Sequence, residues 1–245
     1  MYLKTEGLVL RQVNYQDNDQ ILTLLTREYG LMSAKARGVR RSSSRLKGAC
    51  QLLTYAEFII FESRGFHTIN EATPLQMFSQ LRGDIEQLAL ASYFAQAAEV
   101  LSQENVPNPD VLSLTLNALY ALCHALCPAD LLKAAFELRL AALSGYAPEL
   151  SGCAVCGNPQ PDRFDVKGGV LLCARCGAGA GLRLPVGAGT LAAMRHITTC
   201  EAKRLFSFRL AGESRKELCD LSETYLTAQL ERGFSTLDFY KTLIL

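Results

Sequence analysis

Two Cys-x-x-Cys pairs, each followed directly by glycine, constrain this chain more than any other feature of its sequence. The pairs are Cys153/Cys156 and Cys173/Cys176, and sixteen residues separate them. Two residues between cysteines let both sulfurs point to one side, at about 2.3 Å from a shared metal ion. The glycine after each pair can adopt positive φ, which turns backbone N–H groups toward the sulfurs. The spacing therefore predicts one tetrahedral Zn²⁺ site with four thiolate ligands.

The residues between the two pairs favour a zinc-ribbon fold. Arg163 to Leu172 is predicted to form a hairpin that turns at Lys167-Gly168-Gly169. Four protein ligands leave no open position for water, so the metal is expected to be structural. A redox pair would need one motif at a helix start, whereas an iron–sulfur cluster stays chemically possible with four cysteines.

The remaining cysteines and the hydropathy pattern predict a cytoplasmic protein. Nine cysteines, an odd number, argue against a disulfide framework. Residues 1–6 lack the basic start and apolar core of a signal peptide. Val111 to Ala129 carries no Asp, Glu, Lys or Arg, but its polar residues and Pro128 favour a buried helix over a membrane span.

The first eighty residues predict five short strands with turn signals between them. The strands are predicted at Leu3–Tyr15, Ile21–Thr26, Leu31–Ala36, Tyr55–Ser63 and Phe66–Ala72. A five-stranded Greek-key barrel of this length is an OB-fold, which commonly holds nucleic acid strands. The strand pattern alone equally permits an SH3-like barrel.

Beyond Pro74 the apolar residues recur at helical spacing. Helices are predicted over Arg82–Leu101, from the cap Asn108 to about Leu126, over Ala129–Ser144, over Ala188–His196 and over Arg215–Arg232. His124 is expected inside the second of these helices as a core residue. The predicted domains are a barrel (1–80), a helical domain in two parts (81–150 and 182–245) and a four-cysteine zinc-finger insertion (151–181).

A run of cations between two barrel strands is the candidate DNA-binding surface. No acidic residue occurs between Glu28 and Glu57, and the sequence KARGVRRSSSRLKG has the serines and glycines of an exposed loop. Unopposed cations on such a loop can follow a phosphate backbone without reading base sequence. The candidate DNA-binding residues are Lys35, Arg37, Arg40, Arg41, Arg45 and Lys47.

Composition supports this interpretation only weakly, and a solvated basic loop is the plain alternative. The formal net charge is +1. The charge is nevertheless uneven, with a basic front, an acidic middle and a mildly basic end. Tyr15, Tyr29 and Phe66 are candidates for stacking on bases, although aromatic residues in barrels often belong to the core.

The sequence shows no catalytic motif, so the chain is not expected to be an enzyme. A phosphate-binding loop, a nucleophile elbow, a dinucleotide fingerprint and paired carboxylates are absent. The histidines have no neighbours that suggest a catalytic pair.

Long stretches of the sequence resemble the RecO family. The resemblance begins with YLKTEGLVLRQVNYQDNDQILTLLTREYGLMSAKARGVRRSSSRL, including its Glu28-Tyr29-Gly30 turn. It continues through LRLAALSGYAPELSGCAVCG and FDVKGGVLLCARCG, and it ends with LSETYLTAQLERGFSTLDF. Together these stretches span nearly the whole chain.

The resemblance implies an α+β protein, in which an N-terminal five-stranded OB-fold precedes an α-helical domain with an inserted zinc finger. It implies binding of single- and double-stranded DNA, annealing of complementary strands, and action with RecR in loading RecA onto DNA coated with single-strand-binding protein. It also implies contact with the acidic C-terminal tail of that protein. Leu132, Lys133, Phe136 and Arg139 are the candidate residues for this contact.

A protein-interaction scaffold is the rival interpretation. In that case the barrel and the zinc ribbon bind proteins, and the basic loop engages an acidic partner without direct DNA binding.

Overall fold

A computed structural model describes residues 1–244 of the chain. These residues form two compact units. The first unit contains Met1–Cys123 together with the described residues from Phe234 onward, and the second contains His124–Gly233. In the described part of the chain, no helix is both long and apolar enough to cross a membrane.

The first unit contains a closed five-stranded barrel. Its strands are β1 (Tyr2–Tyr15), β2 (Asp19–Thr26), β3 (Gly30–Ala36), β4 (Tyr55–Ser63) and β5 (Phe66–Gln76). The strand order around the barrel is β1-β2-β3-β5-β4, and β1 pairs with both β2 and β4. A single parallel pair, Lys35 with Thr68, joins β3 to β5. This is the OB-fold, which resolves the choice that the strand pattern left open.

Alternation of side chains explains the barrel core. Leu22, Leu24, Phe58 and Ile60 are fully buried because every second residue of a strand points inward. The β2–β3 turn requires glycine at position 30, where φ is 65°. A Cβ atom there would lie 2.2 Å from the Val106 carbonyl oxygen, because the chain around residue 106 passes against the turn.

Three helices complete the first unit. They are α1 (Ile85–Leu101), α2 (Pro109–Cys123) and, from the end of the chain, α6 (Ser235–Leu243). Asp84 caps α1 by accepting hydrogen bonds from the backbone N–H groups of residues 86 and 87. The Asn108 side chain caps α2 by accepting from Val111 N–H at 3.1 Å, as its sequence predicts.

The second unit combines three helices with a small sheet. Its helices are α3 (Ala129–Leu143), α4 (Ala188–Thr199) and α5 (Gly212–Leu230). The sheet has the order β6-β8-β7-β9. Its strands are β6 (Glu149–Cys153), β7 (Arg163–Asp165), β8 (Val170–Leu172) and β9 (Arg183–Pro185).

The predicted strands and helices are present, with small shifts at their ends. The structure adds α6 and the short strands β6 and β9, which the sequence pattern did not indicate. α2 ends at Cys123, so His124 lies beyond the helix and is exposed, which corrects its expected core position. The compact units group α1, α2 and α6 with the barrel and so divide the chain differently from the four predicted domains. The four-part division stays a prediction.

Candidate nucleic-acid interface and metal centre

The basic segment, defined here as residues 35–48, leaves β3 and runs as a series of turns toward β4. Successive backbone hydrogen bonds hold these turns, from Arg41 N–H to the Gly38 carbonyl and from Ser44 N–H to the Arg41 carbonyl, both at 3.1 Å. The segment is therefore an ordered surface of the barrel.

Apolar side chains anchor this connection to the barrel. Val39, Ala49 and Cys50 are buried in the same cluster as the barrel core, and Leu46 packs against that cluster. Burial raises the pKa of the Cys50 thiol to about 12, so it stays a neutral, small apolar group. These anchors alternate with the cations, which forces the charged side chains outward. These apolar anchor residues are visible in the sequence, but the serines and glycines around them indicated an exposed loop.

Five of the six predicted DNA-binding cations are exposed. In the described residues none of the five forms a salt bridge with a carboxylate. They are Arg37, Arg40, Arg41, Arg45 and Lys47.

Lys35 differs from the other five cations. It is half-buried, and its Nζ lies 2.9 Å from a carboxylate oxygen of Asp19. The same ammonium sits 4.6 Å from the centre of the Tyr15 ring, within the range of a cation–π contact. Its charge is thus largely compensated within the protein, and its contribution to phosphate binding is smaller than that of its neighbours.

The β1–β2 turn positions the start of the basic segment. The Asp19 carboxylate accepts a hydrogen bond from Gly38 N–H at 2.7 Å, and the Arg40 guanidinium donates to the Asp17 carbonyl at 3.0 Å. The pKa of Asp19 is lowered by the Gly38 N–H and, next, by the Lys35 side chain. The carboxylate therefore stays ionised as a clamp between the turn and the segment.

The three candidate stacking aromatics occupy different environments. Tyr15 and Phe66 are exposed, and Phe66 follows the β4–β5 turn directly. Tyr29 is half-buried and packs against the barrel core, so it is a structural residue. The structure thus keeps two of the three on the surface.

The four cysteines of the predicted zinc site come together at one end of the small sheet. Their sulfur atoms all lie within 4.8 Å of one another, and this is the one such cluster of metal-binding residues among residues 1–244. In both pairs the N–H of the following glycine, Gly157 or Gly177, donates to the carbonyl of the first cysteine at 2.8 Å. Gly157 has a positive φ of 71° as expected, whereas Gly177 does not adopt positive φ, which corrects that part of the expectation. The predicted hairpin also forms, as β7 and β8.

The cluster geometry fits a tetrahedral thiolate site. Ligands about 2.3 Å from zinc at tetrahedral angles lie about 3.8 Å apart. The Cys156 and Cys173 sulfurs are 3.8 Å apart. Backbone N–H groups lower the pKa of Cys153 to about 6, chiefly through the N–H of Cys156, and the Cys176 N–H lowers the pKa of Cys173. The neighbouring Cys173 and Cys156 side chains raise the pKa of Cys176 to about 12, because four sulfurs this close repel a further negative charge unless a cation lies between them. The thiolate is the form that binds metal, so the donor set suits an ion such as zinc.

The sheet that carries the cysteines belongs to the core of the second unit. Phe164 is fully buried and meets the Tyr225 ring of α5 edge to face, with centroids 5.2 Å apart. The Tyr225 hydroxyl donates to the Tyr146 carbonyl at 2.9 Å. Gly169, at φ 63°, brings the hairpin turn so close that a Cβ atom there would lie 2.7 Å from this hydroxyl. The cysteine cluster is therefore attached to a packed helix.

The candidate partner-binding residues lie inside the second unit. Leu132 and Phe136 are fully buried in α3. Lys133 is 7% exposed and bridges Glu137 and Glu223, each at 2.8 Å. Arg139 donates to backbone carbonyls near the end of α4, including that of Thr198 at 2.7 Å. Burial of three of these residues and the internal hydrogen bonds of Arg139 leave little of the four side chains open to a partner, and their role in partner binding stays a prediction.

Comparison with known proteins identifies the family. Residues 1–78 match the family model described as recombination protein O N terminal, and residues 82–238 match the one described as recombination protein O C terminal. The chain belongs to the RecO family. The two matched regions fall on the barrel and on the part of the chain that carries the helices and the cysteine cluster, so the family assignment agrees with the observed fold.

Full-length relatives support the same assignment. The chain is 34% identical to the DNA repair protein RecO of Acetivibrio thermocellus over 245 residues, which cover 99% of this chain and 97% of that protein. It is 33% identical to the protein of the same name from Symbiobacterium thermophilum, covering 97% and 96% of the two chains. The relative from Alkaliphilus metalliredigens is 27% identical over 99% of this chain and 100% of its own length. A RecO protein of this kind acts in DNA repair.

Proposed function

We propose that this RecO-family chain is a non-catalytic recombination mediator that works in the cytoplasm, on the nucleoid. It binds single- and double-stranded DNA, anneals complementary strands and, with RecR, helps to load RecA onto DNA coated with single-strand-binding protein. One observation carries the DNA-binding part of this proposal. Five exposed cations on an OB-fold barrel have no carboxylate partner among the described residues.

The arrangement suits binding without sequence preference. Cations that contact phosphates release counterions, and this gain does not depend on the bases. The serines of the segment, Ser42 to Ser44, add hydroxyl groups that can donate to phosphate oxygens. Annealing then needs only that two strands are held with their mutual repulsion screened, and it requires no nucleotide hydrolysis.

The cysteine cluster completes the proposal as one structural Zn²⁺ site. Cys153, Cys156, Cys173 and Cys176 would all be thiolate ligands, and a fourth protein ligand leaves no position for a reacting water. The metal would hold the two Cys-x-x-Cys turns together beside a sheet with only three to five residues in each strand. Its effect is thus expected on the stability of the second unit.

The protein-interaction scaffold predicts a different use of the same cations. A scaffold of that type would bind an acidic protein surface and would have little affinity for DNA. The structure leaves the guanidinium groups of the basic segment facing outward, which is compatible with either ligand. The OB-fold context and the family membership favour DNA.

Two measurements on the full chain separate these functions. Fluorescence anisotropy with labelled single-stranded and duplex oligonucleotides should show binding that weakens with salt and varies little with sequence. Annealing of complementary oligonucleotides should accelerate on addition of the protein without ATP. Absence of DNA binding at low salt, together with binding of an acidic protein, would contradict the mediator function and support the protein-interaction scaffold.

The partner proposals rest on family membership, and the binding surfaces need direct mapping. Binding of RecR and of the acidic tail of single-strand-binding protein can be measured by calorimetry with purified RecR and a synthetic tail peptide. Since Leu132 and Phe136 are buried, substitutions there would disturb the fold before they could report on a partner.

A further inference from the structure

An unusual group of exposed aromatic residues lies on the outside of the barrel, apart from the basic segment. Tyr2 is 64% exposed, Phe61 41% and Phe66 78%. Met1 beside them is 73% exposed. Large apolar side chains exposed side by side indicate a binding surface more often than chance. We call Tyr2, Phe61 and Phe66 the aromatic face.

Strand register places the three rings on one outer surface. Tyr2 pairs with Phe61 across β1 and β4, and their ring centroids are 5.2 Å apart. Ile60, the neighbour of Phe61, is buried and points into the barrel, so Phe61 points out. Phe66 pairs with Ser63, two residues after Phe61, and therefore shares the outward side. The aromatic face thus spans β1, β4 and β5.

The aromatic face continues into the cationic surface around the barrel. Phe61 pairs with Thr68, and Thr68 pairs in turn with Lys35 at the start of the basic segment. Arg37 follows two residues later and is exposed. Arg64, at the tip of the β4–β5 turn next to Phe66, is also exposed. The aromatic face therefore lies near exposed cations of the basic segment and of the β4–β5 turn.

We propose that the aromatic face stacks with unpaired bases of single-stranded DNA while the basic segment holds the same strand by its phosphates. This inference rests on the proposed DNA binding and specifies which form of DNA the site prefers. Exposed rings can stack on the flat faces of bases in a single strand, and such stacking tolerates any sequence. In a duplex those base faces are covered by neighbouring base pairs.

Charge favours this ligand over a protein partner for the same surface. Two exposed cations, Arg37 and Arg64, lie near the aromatic face, whereas the charge of Lys35 is already compensated by Asp19. Glu62 is one position out of phase with Phe61, so its side chain leaves β4 on the opposite side. Glu71 pairs with Ile59 and is exposed on the same outer side as Phe61, so the two exposed cations outnumber this one carboxylate. A polyanion with exposed apolar faces matches rings bordered by cations.

A unique tryptophan can test stacking directly, because the chain contains no tryptophan. In the full-length variant Phe66→Trp, the indole should be quenched on binding of an oligo-dT. An abasic oligonucleotide of the same length supplies the phosphates without bases, and a blunt duplex supplies paired bases. Both should bind, as anisotropy would show, with little quenching. Equal quenching by the abasic strand would overturn the inference.

Affinity provides a second and independent readout. The double variant Tyr2→Ala/Phe66→Ala should weaken oligo-dT binding by between about 5-fold and about 150-fold for each stacked base lost. Duplex affinity and the salt dependence should stay as in the unchanged protein. Leu75→Ala is the matched control, because Leu75 is 49% exposed at the far end of the same strand.

The two proposals fail in different ways. Unchanged oligo-dT affinity in the aromatic variant, with normal DNA binding by the unchanged protein, overturns the stacking role and leaves DNA binding in place. The same holds if the variant loses only binding to a protein such as RecR. If the unchanged protein binds no DNA, the proposed function itself is contradicted. Circular dichroism of each variant confirms that the barrel is folded.

Discussion

Neutralising part of the basic segment should change how strongly DNA binding depends on salt. The variant Arg40→Gln/Arg41→Gln removes two of the five exposed cations that have no carboxylate partner. The logarithm of affinity for single strands falls with the logarithm of salt concentration by about 0.7 for each phosphate contact. The slope therefore counts contacts, which a single affinity value does not.

The structure gives the expected magnitudes. Five contacts predict a slope of about 3.5, and three contacts a slope of about 2.1. Between about 50 and 200 mM salt, the unchanged protein should lose about 130-fold in affinity and the variant about 20-fold. A smaller starting slope would mean that fewer than five of the cations reach phosphates, but the slope should still fall by about 0.7 for each contact removed.

The assay is fluorescence anisotropy with a labelled oligo-dT across a salt series, on the full chain. Arg40 also donates to the Asp17 carbonyl, so a second variant, Arg45→Gln/Lys47→Gln, removes two cations that have no such contact. Both variants should lower the slope equally.

A control for net charge is the variant Lys203→Gln/Arg204→Gln, which removes two exposed cations from the second unit. Its slope should match that of the unchanged protein. An unchanged slope in the basic-segment variants, or an equal fall in the control variant, would refute phosphate binding by the basic segment.

Three further results are expected from the site and the core. Cys153→Ser should abolish stoichiometric zinc in a metal assay and speed proteolysis within residues 149–185. Its oligo-dT affinity should stay within a few-fold of that of the unchanged protein. Unchanged protease resistance would argue against a stabilising metal. Asp19 has a pKa below its ordinary value of 3.8, so its clamp on Gly38 N–H should be present above pH 4 and be lost as the pH falls through the lowered pKa. Hydrogen exchange at Gly38 should show this loss, and Asp19→Asn should remove the pH dependence. Lys133→Ala should lower the free energy of unfolding by about 3–5 kcal/mol, since it leaves the carboxylate of the fully buried Glu137 without its cation; denaturant unfolding showing under 1 kcal/mol would contradict this.

The barrel strands and the cysteine cluster were predictable because short-range sequence signals define them. Alternation along Tyr55–Ser63 and the turn at Glu28-Tyr29-Gly30 depend on neighbouring residues. The two Cys-x-x-Cys turns also depend on local geometry, and they bring the four sulfurs together as expected, although only Gly157 of the two following glycines takes positive φ. The sequence predicted a barrel but not which residues close it, because the one pair that joins β3 to β5 links residues 35 and 68 without a distinctive sequence signal.

The environment of a charged residue in a helix was the least predictable feature. Lysine and arginine usually lie on the surface of a helix. The partners of Lys133 and Arg139 nevertheless lie on α5 and at the end of α4, far along the chain. Phe136 faces the same interior. Phe66 was a candidate for stacking from the sequence, but Tyr2 and Phe61 were missed, because only the strand register shows that they are adjacent.

The return of α6 to the first unit affects how the protein is made. Phe234 is 1% exposed and meets the buried ring of Tyr93 edge to face at 5.4 Å, and Thr236 Oγ1 donates to Gln96 Oε1 of α1 at 2.6 Å. During translation the ribosome synthesises the barrel before α6, so α1 has no α6 to cover it until residues 235–243 have emerged. The first unit is therefore completed only after the second unit has been synthesised. A gene truncated after α2 would encode a barrel with an uncovered helix.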